Sequence, residues 1–187
     1  MLGPRLRGVL GVALAPTTVE DLKRYRDWAT QPEVTYFWGP REGDWTDEQA
    51  EERFKRNAKD AASIHWTIEL DGRAIGTTGI FHIDWIRRQG ESYILVGEHG
   101  LHRRGIGSEA IRLRTRFAFR ELNLHRVYNW IVYDNIGSRR GNEKAGYREQ
   151  GRLPLAVKRG ERRHDLWLGE VLRDEWERSS ASSGDTG

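Results

Sequence analysis

The sequence predicts an α+β fold: one domain with a central, mostly antiparallel twisted sheet flanked by helices. Three observations carry this expectation. Period-two segments between His65 and Gly97 are joined by an Asp71-Gly72 turn and can pair as an antiparallel meander. A long amphipathic stretch then opens on a glycine turn at Gly105 to Gly107. Strands and helices do not alternate regularly, which argues against a wound parallel sheet. At 187 residues the chain suits one core. We place the domain at residues 1–177 and expect 178–187, rich in Ser and Gly, to be a flexible tail.

Taken in order, Met1 to Gly8 is a basic leader and Val9 to Ala15 a first strand, with Gly11 its weak position. Thr17 and Thr18 offer a cap for a helix over Val19 to Ala29, whose Leu22, Tyr25 and Trp28 share one stripe. Asp44 to Asn57 is a second helical stretch, with Thr46 and Gln49 at capping-box spacing. His65 to Leu70, Ala74 to Asp84 and Ser92 to Gly97 are the strands of the meander. The helix from Gly105 to about Leu122 carries Ala110, Leu113 and Phe117 on one face, with Ile111, Ala118 and Leu122 beside them. Arg126 to Tyr133 is rich in β-branched and aromatic residues and reads as a strand. Ser138 to Lys144 is a helix stopped by Gly146. Val157 to Gly160 makes a turn, His164 to Gly169 a last strand, and a short acidic helix follows.

Composition removes several classes of chemistry. There is no cysteine, so disulfides, thiolate nucleophiles and cysteine metal sites are excluded. The 6 histidines show no H-x-x-x-H pairing, and no metal is expected. The apolar runs at Val12 to Ala15, Tyr93 to Val96 and Trp130 to Tyr133 are too short for a membrane span. No signal-peptide pattern is visible, so a cytoplasmic location is expected. Net charge is +3 from 31 basic and 28 acidic residues, mostly interspersed. The arginine pairs Arg87-Arg88, Arg103-Arg104, Arg139-Arg140 and Arg162-Arg163 read either as solvated faces or as contacts to a phosphorylated ligand.

The segment from Val96 to Ala110 carries most of the chemistry. A strand ends, a loop brings Arg103 and Arg104, and Gly105, Ile106, Gly107 and Ser108 open a helix. The first amides of a helix lack internal partners and sit at the positive end of its dipole, while glycine lets a phosphate approach the backbone. Gly105 to Ala110 also satisfies the G-x-G-x-x-A dinucleotide fingerprint, so an NAD-type oxidoreductase is a rival reading. Against it stand the loop between Gly97 and Gly105 and the hairpin meander before it. A non-enzymatic basic binding module, suggested by pI 9.3 and 8 tryptophans, is a third reading, which the interspersed charge disfavours.

These residues resemble the GNAT acyltransferase superfamily, whose pyrophosphate loop Arg/Gln-x-x-Gly-x-Gly/Ala appears here as His102-Arg103-Arg104-Gly105-Ile106-Gly107. A second motif, Asn135-Ile136-Gly137-Ser138 followed by Glu143-Lys144-Ala145-Gly146-Tyr147, is similar to the branch that acetylates ribosomal-protein N-termini (RimJ/RimL-like). The resemblance implies an acetyl-CoA-dependent N-acetyltransferase that moves an acetyl group to a primary amine by direct attack. It implies a pantetheine arm lying along Val96, Gly97 and Glu98, pyrophosphate at Arg103 to Ser108, and a hydrogen bond from Asn135.

Direct attack needs a group to take the amine proton and one to meet the departing thiolate. Glu91 is the first candidate base and Glu98 the second. A backbone N–H near Val96 or Gly97 would meet the developing oxyanion. The slot that holds a tyrosine acid in many family members is Asn142, which cannot serve as an acid. The resemblance to the ribosomal-protein branch implies Ser138 as the donor, with a helix cap as the alternative reading of that serine. Tyr133 is a further candidate acid or a core or rim residue. Tyr36, Phe37, Trp38 and Trp45 follow the first helix, where the family builds its acceptor pocket, with Glu33, Asp44 and Asp47 nearby. A peptide N-terminus, a polyamine or an aminoglycoside-like amine is the expected acceptor. No nucleic acid or membrane partner is expected, and a homodimer is a candidate assembly.

Overall fold

The computed structural model describes residues 1–38, 45–101 and 104–182. Within them the chain runs β1 (Leu6–Arg7), β2 (Val12–Pro16), α1 (Val19–Ala29), α2 (Pro32–Thr35), α3 (Asp47–Lys59), β3 (Ile64–Leu70), β4 (Arg73–Asp84) and β5 (Gln89–Val96). A 3-10 turn at His99–Leu101 leads to α4 (Ile106–Arg120), β6 (Arg126–Val132), α5 (Ile136–Lys144), β7 (Arg148–Arg159), β8 (Arg162–Leu172) and α6 (Arg173–Ser182). The strands form one sheet in the order β1-β2-β3-β4-β5-β6-β8-β7, antiparallel everywhere except between β5 and β6. The expected α+β architecture holds.

The single strand expected over Val9 to Ala15 is instead a hairpin. Leu10 and Gly11 both adopt positive φ (58° and 73°), and Val12 N–H donates to the Val9 carbonyl at 3.0 Å. That is a type I′ turn, whose twist matches its flanking strands. The basic leader before it is folded onto the core: a Cβ at Gly3 would stand 1.9 Å from the Trp66 ring, and Trp66 Nε1–H donates to the Pro4 carbonyl at 2.9 Å.

Both helix caps expected from sequence form as full capping boxes, Thr18 with Asp21 on α1 and Thr46 with Gln49 on α3. Asp44, the expected start of that helix, lies outside the described residues. The main core packs Trp66, Ile68 and Ile75 of the meander, Ile111 and Phe119 of α4, and Val127 and Trp167 of the distal strands. A second cluster joins α1 and α3 through Leu22, Tyr25, Trp45 and Ala50.

Two boundaries depart from the sequence reading. Val157 to Gly160 is not simply a turn, because β7 runs from Arg148 to Arg159 and the reversal falls at Gly160 and Glu161. The last helix continues to Ser182, past the domain end expected at 177.

Candidate active site

β5 and β6 pair only at Gln89↔Arg126, Gly90↔Val127 and Glu91↔Tyr128. Beyond Glu91 the two strands part. On its other side β5 stays paired with β4 from Phe81↔Glu91 to Gly76↔Val96. The Gly97 amide donates to the Ile75 carbonyl at 2.8 Å, which fixes the phase of that ladder. In an antiparallel pair both polar groups of a bonded residue face the partner strand and those of its neighbours face away. Tyr93 and Leu95 therefore turn their backbone groups to β4, while Ser92, Ile94 and Val96 turn theirs into the gap. Gly97, expected as an oxyanion donor, has its amide committed to β4. Its lack of a side chain serves packing instead, since a Cβ there would sit 2.0 Å from the Trp28 ring.

The gap opens into a cavity of about 490 Å³ that runs from α5 across β5 toward α1 and α3. On the α5 side it is lined by Ser92, Asn129, Asn135, Ser138 and Asn142. On the α1 and α3 side Glu91, His65, Tyr93, Trp38 and Arg53 line it.

At the head of the gap, Gly105 caps α4 with φ 82°, a conformation that favours glycine, and among the described residues no side chain caps the first amides of the helix. The Ile106, Gly107 and Ser108 amides are thus left at the positive end of a 15-residue helix. A Cβ built at Gly107 would stand 3.9 Å from Ile94 Cδ1 and 4.0 Å from Val96 Cγ2, so this turn overlies the diverging end of β5. Arg104 is exposed beside it. Arg103 and His102 lie outside the described residues. Coenzyme A fits this arrangement: helix amides for phosphate, and a strand edge that turns the backbone groups of Ser92 and Ile94 into the gap for an extended arm. The buried Oδ1 of Asn129, which has no hydrogen-bond partner among the described residues, adds an acceptor in the gap wall.

Glu91 is half-buried at the fork, and that burial raises its carboxyl above the ordinary range, against the lowering influence of His82, whose Nδ1 lies 3.7 Å away. It is the one carboxylate lining the cavity among the described residues. Glu98, the second candidate base, is held by the Arg73 guanidinium, with Nη2 donating to Oε2 at 2.8 Å, and does not line the cavity. Tyr133 lies under Arg139 and Arg152, whose guanidinium carbons stand 4.1 and 3.8 Å from the ring centre, as a rim residue would.

The capping alternative for Ser138 is resolved by Asn135. Asn135 is the N-cap of α5, its Oδ1 accepting from the Ser138 amide at 3.1 Å. The Ser138 hydroxyl is therefore not the cap. Asn142 is fully buried, accepts from Asn129 Nδ2 at 2.7 Å and donates to the Ser138 carbonyl at 2.9 Å, so it braces α5 against β6.

Sequence reasoning did not find four residues of this region. His65 shares a hydrogen bond of 2.9 Å with the Tyr93 hydroxyl; burial drives its imidazole down to about 4 and raises the Tyr93 phenol to about 12. Asn129 is a polar residue mid-strand between Tyr128 and Trp130, and Arg114 lies one helical turn from Ala110 on the buried face of α4. Both positions break an apolar pattern, which is the signal that marks them.

A family model described as an acetyltransferase (GNAT) domain matches residues 12–148. Among curated proteins of Bacillus subtilis, the chain is 39% identical over 83 residues to a probable N-acetyltransferase, YjcK, spanning 43% of this chain and 45% of that one. It is 28% identical over 138 residues to an uncharacterized N-acetyltransferase, YnaD, spanning 72% and 79%. The putative ribosomal N-acetyltransferase YdaF matches at 27% over 66% of this chain and 67% of its own. A spermidine N-acetyltransferase from Vibrio cholerae, solved in complex with CoA and spermine, superposes with TM-score 0.80 at 20% identity, covering 89% of this chain and 98% of that one.

With its split sheet, glycine-capped helix and matching family model, the chain belongs to the GNAT acetyltransferase family. It is an acetyl-CoA-dependent N-acetyltransferase that transfers an acetyl group to an amine. The dinucleotide reading of Gly105 to Ala110 falls with this, because an antiparallel meander, not a βαβ unit, leads into the glycine turn.

Proposed function

We propose that the acceptor is the α-amine of a peptide or protein N-terminus. The observation that carries this reading is the charge of the acceptor end of the cavity. Among the described residues it presents Arg53 and Arg159 against the single carboxylate Glu91, with Tyr25, Phe37, Trp38, Phe81 and Trp130 around them. A chain of ammonium groups would meet like charge there, whereas one amine on a body with carbonyls and apolar groups would not. An α-amine also titrates near 8, about two units below an alkyl amine, so a carboxylate of raised pKa can deprotonate it at a lower cost.

Acetyl-CoA, a substrate consumed in each turnover, supplies an acetyl group activated as a thioester. Backbone groups along the open edge of β5, the Gly105 to Ser108 turn, Arg103, Arg104 and Asn135 would hold it. Glu91 takes a proton from the incoming amine, directly or through a water. The nitrogen lone pair forms the new N–C bond and the nitrogen sheds its remaining surplus proton to solvent, the C–S bond breaks with its electrons on sulfur, and Ser138 donates the proton that yields the thiol. Ser138 regains a proton from solvent. Amide and free coenzyme A are the products.

The test is an acceptor screen read by thiol release, with N-terminal peptides, spermidine, spermine and an aminoglycoside. Peptide turnover with weak polyamine turnover is the expected result. The spermidine N-acetyltransferase fold-relatives motivate the polyamine arm, and a kcat/KM for spermidine above that for every peptide would overturn the reading.

A further inference from the structure

Arg114 is fully buried on α4, and no carboxylate reaches it among the described residues. Its partners are all neutral. Nη1 donates to the Tyr93 carbonyl at 2.6 Å and to Thr78 Oγ1 at 2.8 Å, and Nη2 to the Tyr147 hydroxyl at 3.3 Å. Its Nε has no partner among the described residues. Burying a guanidinium among neutral acceptors is costly, and a leucine at this position of an apolar helix face would cost far less.

The geometry points to Arg114 as a positioning residue that sharpens the backbone donor of the acetyl site. The Tyr93 carbonyl and the Ile94 N–H belong to one peptide group. The phase of the β4–β5 ladder turns that carbonyl toward β4 and that N–H into the gap, where β6 no longer follows. The carbonyl accepts from Arg114 and also from Thr78 Oγ1 at 2.6 Å. Hydrogen bonds that feed one another polarise their chain, and a charged donor does so most. The Ile94 N–H, aimed at the place where the acetyl carbonyl oxygen gains negative charge, is made a stronger donor. The buried cation adds a field of the same sign in a region poor in water. Arg114 itself does not line the cavity, so it acts through the peptide rather than by contact.

This inference rests on the acetyl-transfer reading, and the experiment keeps the two separate. The Ile94 amide is followed by NMR in the free protein, by its proton shift and its base-catalysed exchange rate, for the unaltered chain, Arg114→Lys, Arg114→Met and Thr78→Val. Coenzyme A binding and kcat are measured on the same set. In Arg114→Met we expect an upfield Ile94 amide, slower exchange and a kcat lower by 10-fold or more, with coenzyme A affinity within twofold. Arg114→Lys, which keeps a cation able to reach the Tyr93 carbonyl, recovers most of both effects, and Thr78→Val shows a smaller version of each. An Ile94 amide that does not respond to Thr78→Val overturns the proposal whether or not Arg114→Met folds, and so does one that moves as far in Arg114→Lys as in Arg114→Met. So does a loss confined to coenzyme A affinity. Absence of acetyl transfer by the unaltered chain would overturn the functional reading instead, leaving the amide result to be judged by itself.

Discussion

Glu91 faces Tyr128 in the last pairing between β5 and β6, so the carboxylate stands at the fork where the sheet divides. The backbone register therefore fixes the candidate base at the root of the gap that would hold the acetyl group. The same position takes it partly out of water, and burial also raises the Tyr128 phenol beside it, with the Glu91 charge adding to the effect. Reactivity and strain on stability have one origin at this residue.

Two measurements follow for Glu91→Gln. Activity at neutral pH should fall by about 100-fold, as removal of a general base commonly does. In the parent enzyme the acidic limb of the kcat/KM profile should lie above the usual carboxylate range, and the variant should lose that limb. Stability should move the other way. A native pKa above the unfolded 4.5 means the folded state binds the proton more tightly, so stability declines as pH rises through that interval and the penalty persists at pH 7. Glu91→Gln should raise Tm at pH 7 and leave it unchanged near pH 4. A lower Tm at pH 7 would show that the carboxylate is a structural anchor.

Gly107 and Gly105 should respond differently to substitution. Gly107 has ordinary helical φ, and a Cβ there meets Ile94 and Val96 only at contact distance. Gly107→Val should keep the Tm of the free protein while lowering acetyl-CoA affinity at least 10-fold in titration calorimetry, because the branched side chain fills the phosphate approach. Gly105, at φ 82°, should lose about 1 kcal/mol of stability on substitution by Ala, before any effect on binding. Unchanged acetyl-CoA affinity in Gly107→Val would displace the pyrophosphate from this turn.

Asn135 and Ser138 separate in the same way. Asn135→Ala removes the cap of α5 and should cost about 1 kcal/mol of stability together with cofactor affinity. Ser138→Ala leaves the cap in place and should lower kcat with little change in Tm or coenzyme A affinity. Equal kcat in stopped-flow thiol release would remove Ser138 from the proton-donor role.

The parts of this molecule that could be read from sequence are those whose side chains alternate between core and solvent. The meander, α1, α3 and α4 bury one face each, and that periodicity is written into Trp66, Ile68, Ala110 and Leu113. β7 was not visible because it has no such face: most of its residues from Arg148 to Arg159 are exposed, it contains Gly151 and Pro154, and its register with β8 shifts twice. It is held by backbone pairing at the sheet edge. The glycine turn was legible from helix-terminus physics. The candidate catalytic wall was not, because it depends on which backbone groups the β4–β5 ladder leaves pointing into the gap, a property of register rather than of residue type. Glu98 and Glu91 look alike in sequence, and only the fold shows that Arg73 holds one while the fork exposes the other to the cavity.

His65 makes the last prediction, and it separates stability from catalysis. Its Nδ1 shares a hydrogen bond with the Tyr93 hydroxyl and its Nε2 with Ser63 Oγ, each at 2.9 Å, inside the cavity wall. Burial, with help from the N-terminal ammonium, lowers its pKa from 6.5 to about 4. The depressed value means the folded state prefers the neutral ring. Its contribution is therefore fully present above pH 6.5 and is lost as pH falls through 4, a change on the order of 3 kcal/mol. Urea unfolding at a series of pH values should show that decline, and His65→Asn, which cannot titrate, should flatten it. An identical slope in His65→Asn would place the proton uptake elsewhere. Because the neutral ring and the Tyr93 phenol hold their protonation states from about pH 6 to 10, this pair should leave the pH–rate profile to Glu91. A kcat/KM acid limb that moves in His65→Asn and not in Glu91→Gln would exchange the roles of the two residues.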